Sequence, residues 1–143
     1  MMTENDYVIT NHISAEEYME IRKLVGFSLF PVDQAAEGLK HSSYICCLRK
    51  DNLPIAVGRI VSDQGYVVYI ADVMVRPEYQ RQGLGSLVVN QILDHIRSTL
   101  KPGYKIMISL MAAKGKEAFY EKYGFISRPN ERFGCGMHQW IEG

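Results

Sequence analysis

The sequence predicts a mixed α/β fold: a central, mostly antiparallel sheet flanked by helices, ordered β-α-α-β-β-β-α-β-α-β-β. Three observations lead there. Two tight hairpin signals, Asp51-Asn52 and Asp63-Gln64-Gly65, join three consecutive strand-like runs into an antiparallel meander. The last of these runs stops at Pro77, and a polar loop with Gly83 and Gly85 leads into a long amphipathic helix. A further apolar strand follows that helix, which a right-handed crossover makes parallel to its predecessor.

The elements follow in order. Tyr7–Thr10 reads as a short strand. Ser14 and Glu17 form a capping box for a helix that buries Tyr18, Ile21, Leu24 and Val25 and ends at Gly26. A second helix runs from Asp33 to about His41. The meander comprises 43–49, 53–62 and 66–76. In the third strand alternation puts Tyr66, Val68, Ile70, Asp72 and Met74 on one face and Val67, Tyr69, Ala71, Val73 and Val75 on the other. Asp72 is its one interior charge. The long helix runs from Gly83 to about Leu100, with Leu84, Leu87, Val88, Ile92 and Ile96 inward. Strand 104–110, a short helix 114–123 ended by Gly124, and a hairpin from 125–128 back through 137–141 complete the chain.

At 143 residues the chain is expected to be one domain, 1–143, with a full core. Lys+Arg and Asp+Glu both number 16, so no global field selects nucleic acid. No run is apolar enough for a membrane span, and the polar, acidic N-terminus does not read as a signal sequence. Cys46, Cys47 and Cys135 lack metal-binding spacing, as do the four histidines, so no metal is expected. A reduced, cytoplasmic protein is the plain reading.

The loop carries the chemistry. Glycine at 83 and 85 lets the backbone approach a ligand, and the unpaired N–H groups that open the helix, with its dipole, favour phosphate. Arg81 adds charge. Val88 stands where a dinucleotide fingerprint needs its third glycine, and no lysine completes a P-loop. Val75-x-Pro77 followed by Gln80-x-x-Gly83-x-Gly85 instead resembles motif A of the GCN5-related N-acetyltransferases, and the element order extends that resemblance over nearly the whole chain.

The resemblance implies a single-domain N-acetyltransferase. It would transfer the acetyl group of acetyl-CoA directly to a primary amine of a small molecule or peptide, through a ternary complex and without metal. Val73, Met74 and Val75 would bind the pantetheine arm through main-chain atoms. Arg81, Gln82, Gly83, Leu84, Gly85 and Ser86 would hold the pyrophosphate. Ala118-Phe119-Tyr120 through Gly124-Phe125 resembles the family's last helix, which makes Tyr120 the general acid for the departing thiolate; the bland reading is an aromatic packed beside Phe119 and Tyr123.

Asp72 is either the base that takes the amine proton or an ion-pair partner of Arg59 or Arg76, and tight pairing would make it a poor base. Phe27, Leu29 and Phe30, in the link between the first two helices, are acceptor contacts or core plugs. Phe133, Met137 and His138 lie in a glycine-rich loop that either caps the acceptor or packs on the core. The stretch 112–116 stands where the family often has an asparagine before its last helix, and Lys114 or Lys116 either reaches a phosphate in its stead or is simply solvated. Cys135 has no local base to activate it, and direct transfer needs no acyl-enzyme. A small amine with an apolar part is the expected acceptor. A homodimer is compatible with a chain of this family, although no residue fixes an interface. An idle acyl-CoA-binding sensor is the alternative function, and a nucleotide-binding regulator a third.

Overall fold

The computed structural model describes residues 7–143; the polar N-terminal stretch weighed as a signal sequence lies outside them. Two compact units, 1–109 and 110–143, divide the chain. In the first, five strands, β1 (Val8–Thr10), β2 (Tyr44–Lys50), β3 (Leu53–Ser62), β4 (Val67–Val75) and β5 (Met107–Ser109), form one sheet in chain order. All neighbours are antiparallel except β4 and β5, which are parallel as the crossover predicts.

Helices α1 (Ala15–Val25) and α2 (Val32–Lys40) precede the meander, and α3 (Leu84–Thr99) connects β4 to β5. Ser14 Oγ accepts from the Glu17 N–H while the Glu17 carboxylate accepts from the Ser14 N–H, so the capping box forms as read. Gly26 closes α1 at φ +80°, in the left-handed region that glycine enters freely. One inward position differs from expectation: Leu24 is 45% exposed, whereas Arg22 is buried. A buried arginine needs partners, and Arg22 finds them in the site described below.

A bulge reorganises β4. Val57 faces Met74 and Arg59 faces Ala71, so the single residue Gly58 opposes both Asp72 and Val73. Asp72 takes up the extra length at φ +56°, a left-handed conformation that Asp tolerates better than most residues. The simple alternation expected from the sequence therefore fails at this point. Val68 lies beside Ile60 and Ile96 on the α3 face, whereas Met74 joins Tyr18, Ile21, Cys47 and Val57 in the α1–α2 core. One extra residue has exchanged the two faces.

Gly58 is where α3 comes closest to the sheet. A Cβ there would stand 2.7 Å from Val88 Cγ1 and 3.0 Å from Ile92 Cδ1. Both neighbours are fully buried and have no room to yield. Gly58→Ala should destabilise the fold by about 1–3 kcal/mol, read as a lowered midpoint in urea unfolding with an unchanged m-value.

In the second unit, α4 (Glu117–Glu121) lies within the expected helix, and Gly124 follows at φ +91°. The expected closing hairpin does not form: no strand occurs among residues 110–143. Here the chain turns on Asn130, whose side-chain oxygen accepts from the Arg132 and Phe133 N–H groups while its own N–H donates to the Phe133 carbonyl. Arg128 and Arg132 cover the Phe133 ring. Ile126, Met137, Trp140 and Ile141 are largely exposed rather than alternating in and out.

Candidate active site

The loop after β4 is built around its carbonyls. Pro77–Tyr79 makes one 3₁₀ turn, Tyr79 N–H donates to the Arg76 carbonyl, and Gln80 Nε2 donates to the Val75 carbonyl at 3.0 Å. Gln80, which the motif requires, thus ties the loop to the strand end. Arg81 and Gly83 both adopt positive φ, +63° and +80°. Gly83 is the N-cap of α3, and no side chain caps the helix. Leu84, Gly85 and Ser86 supply the first helical N–H groups, which have no partner inside a helix. A phosphate would complete them.

The edge of β4 beside this loop is open. β5 pairs only with Val67, Val68 and Tyr69, so no strand continues along Val73–Val75 on that side among the described residues. The Arg76 N–H donates across the ladder to the Ile55 carbonyl. Alternation then turns the main-chain groups of Val73 and Val75 towards the open edge. An amide-bearing arm could pair with these groups as an added strand. The residues present therefore fit acetyl-CoA.

On the α1 side of the same strand, Asp72 is shared by three groups. Tyr18 donates its hydroxyl to one carboxylate oxygen. Arg22 Nη1 lies 2.9 Å from the other, and Arg59 Nε stands 3.8 Å away. Arg59 Nε also donates to the Tyr18 oxygen at 3.2 Å, while its Nη1 reaches the Gly38 carbonyl and Ser42 Oγ. Burial, with the charge of Asp72 adding to it, pushes the Tyr18 phenol well above its ordinary pKa, so it keeps its proton.

Of the two arginines expected beside Asp72, Arg59 is there and Arg76 is not. Arg76 instead pairs with Glu20 at 2.9 Å and donates to the Pro54 carbonyl, with Nη2 buried and unpartnered among the described residues. Arg22 is the partner that sequence reasoning missed. Its signal was available, because Arg22 lies four residues after Tyr18 on the inward stripe of α1. The guanidinium also lies 5.5 Å from the Phe27 ring and 4.8 Å from the Phe30 ring. Two acceptor candidates thus share a wall with Asp72, while Leu29 is 56% exposed.

Another arginine sets an acid-sensitive contact. Arg49 donates to both Glu17 oxygens and, with the Ser14 N–H, holds this carboxyl at about 2, below the usual range. A depressed folded value contributes stability that is present above the unfolded value, about 4.5, and is lost as pH falls through about 2. The melting-temperature gap between wild type and Glu17→Gln should accordingly be flat above pH 5 and close between about pH 4.5 and 2.

In the second unit Tyr120 is half-buried, edge-on to Phe119 with centroids 4.9 Å apart and near Phe125 at 6.1 Å. Burial raises its phenol pKa above the ordinary value of 10.0. Phe133 lies under two guanidiniums, and Met137 is 89% exposed. Cys46 and Cys47 are buried, and burial pushes the Cys46 thiol up to about 12. Neither is a ready nucleophile. A groove of about 290 Å³ at the C-terminal end of α3, lined in part by Ile60, His95, Ile96 and Tyr104, lies at the opposite end of the helix from Gly83. None of the candidate residues lines it.

The profile of the Acetyltransferase (GNAT) family matches residues 10–125. The chain belongs to that family. An N-acetyltransferase of Porphyra purpurea, ycf52, described as uncharacterized, is 33% identical over 125 residues, which is 85% of this chain and 70% of the relative. A Staphylococcus aureus protein of unknown function, described as a probable acetyltransferase, superposes with a TM-score of 0.84 at 28% identity, covering 94% of this chain and 99% of its own. A GNAT family protein of Streptococcus pneumoniae shares the fold, with a TM-score of 0.73 at 21% identity over 95% of this chain and 96% of its own. GNAT proteins generally use acetyl-CoA and act on amines. No helix here is long and apolar enough to cross a membrane, and no cluster of metal-ligating side chains occurs among the described residues.

Proposed function

We propose that the protein transfers the acetyl group of acetyl-CoA directly to the primary amine of a small molecule. The observation that carries this reading is the pairing of an open β4 edge with an uncapped α3 N-terminus, two features that suit one extended diphosphate ligand. Acetyl-CoA supplies an activated thioester. The main chain of Val73 and Val75 aligns the pantetheine arm, Met74 between them facing the β3 ladder, and Arg81 together with the N–H groups of Gln82 through Ser86 holds the pyrophosphate.

Tyr120, Phe133 and Met137 enter the proposal from the family resemblance. Tyr120 is assigned to donate its phenolic proton to the departing thiolate, and Phe133 and Met137 are assigned as acceptor contacts. Phe27 and Phe30, against Arg22, are assigned as an apolar wall for the acceptor, with the exposed Leu29 as a further contact. Tyr18 and Arg22 each engage one oxygen of Asp72, and Arg59 adds its charge at 3.8 Å. Asp72 is therefore assigned the task of fixing these groups, while the amine proton leaves to water.

The test is thiol release from acetyl-CoA over a panel of amino acids, polyamines, aminosugars, arylalkylamines and peptides, alongside calorimetric binding of acetyl-CoA. Turnover with one class establishes the transferase. Binding without turnover favours the idle sensor, for which the ion pairing of Asp72 is the supporting observation. Absence of binding overturns both.

A further inference from the structure

We propose that the acceptor amine carries an anionic group, a carboxylate or a phosphate, which the Arg22–Arg59 pair receives. The inference rests on the acetyltransferase reading and narrows its substrate class. Its basis is a local imbalance of charge. Two other well-buried arginines each own a carboxylate: Arg49 has Glu17 at 2.8 Å and Arg76 has Glu20 at 2.9 Å. Among the described residues Arg22 and Arg59 share one carboxylate, that of Asp72.

Among the described residues every other polar partner of these two guanidiniums is neutral: the carbonyls of Ser28 and Gly38, Ser42 Oγ and the Tyr18 hydroxyl. Tyr18 does not offset the excess, since burial keeps it protonated. The cluster therefore carries one surplus positive charge, with the Arg22 and Arg59 side chains only 6% and 17% exposed. A cation so placed has lost most of its hydration and is expensive to leave uncompensated. The whole chain has no net charge, so the surplus is local to this face.

Its position gives the surplus a use. Asp72 immediately precedes Val73–Val75, the segment assigned to the pantetheine arm, and the left-handed bulge aims it at α1. Phe27 and Phe30, against Arg22, provide an apolar surface beside the charge. An amine that places its anion on Arg59 and an apolar portion on these rings meets complementary chemistry at each contact. Guanidinium groups bind both carboxylate and phosphate, and Nη2 is the nitrogen of Arg59 that these partners leave uncommitted.

Two matched pairs of acceptors test this: phenylalanine against 2-phenylethylamine, and O-phosphoethanolamine against ethanolamine. In at least one pair the anionic member should have the higher kcat/KM, by about 10- to 100-fold, the range expected of a charged hydrogen bond. Which pair responds tells carboxylate from phosphate. Arg59→Gln, checked for folding by melting temperature and for acetyl-CoA binding, should bring the ratio close to one, chiefly through KM. If that variant fails to fold, wild type suffices: raising salt from about 0.05 to 0.5 M should lower kcat/KM for the anionic acceptor and spare the neutral one.

Equal kcat/KM within both pairs overturns the proposal, as does a preference for the neutral members or one that survives Arg59→Gln. Where turnover is slow, calorimetric binding of the four amines in the presence of coenzyme A must show the same ordering. Neutral amines acetylated without an anionic advantage would sink this inference alone. No turnover and no acetyl-CoA binding would sink the transferase reading beneath it.

Discussion

Exchange of Tyr120 for phenylalanine is expected to lower kcat by about 10²-fold or more while leaving acetyl-CoA affinity unchanged. The substitution removes one oxygen and keeps the ring that packs against Phe119 and Phe125, so folding should be little affected. What the proposed mechanism loses is its proton donor for the thiolate. Burial raises the phenol pKa above 10.0, so the wild-type proton stays in place through about pH 9, and Tyr120 should contribute no decline in kcat as pH rises from 7 to 9. Steady-state kinetics with calorimetric titration of acetyl-CoA would separate the two parameters. An unchanged kcat would reduce Tyr120 to a packing residue.

Asp72→Asn should have the largest effect on stability, about 3–5 kcal/mol, because it strands Arg22 and Arg59 without their carboxylate. For a chain of this size that corresponds to a melting temperature lower by roughly 10–15 °C. Asparagine is an informative replacement. It tolerates the left-handed backbone that position 72 requires and retains an oxygen for the Tyr18 hydroxyl, so the loss isolates charge from shape. A general base would behave otherwise, with the melting temperature preserved and kcat greatly reduced. The double variant Asp72→Asn/Arg59→Gln should recover part of the lost stability, since it removes one of the two stranded cations.

Much of this was legible in the residues because local chemistry and global fold agree. The capping box, Gly26, the full extent of β3 and the parallel crossover follow from signals within a few residues of one another. The loop from Pro77 to Gly85 is similarly local, and its glycine at 83 occupies the left-handed position that its role demands. What escaped depends on contacts distant in sequence. Nothing near Asp72 announces a bulge; the residue it faces, Gly58, is on another strand, where Val88 and Ile92 approach the sheet.

For Arg22 the place on the inward stripe of α1 was local, but the partner was not. A basic residue on a helix is read as solvated unless a partner is known, and Asp72 is fifty positions away. The closing hairpin failed in the opposite direction. Its glycines and Asn130 signal turns correctly, but Ile126, Trp140 and Ile141 lack the regular alternation that would commit them to a ladder.

The bulge in β4 also bears on how the chain tolerates change in length. Because side-chain parity reverses at Asp72, deleting one residue there would do more than trim the strand. It would rotate Val73, Met74 and Val75 by half a turn, sending a core methionine towards α3 and a valine into the α1–α2 core. The same deletion in the turns at 51–52 or 63–65 would be absorbed at an exposed tip. Among descendants of this sequence, then, loop lengths should drift freely while the spacing from Ala71 to Pro77 stays locked.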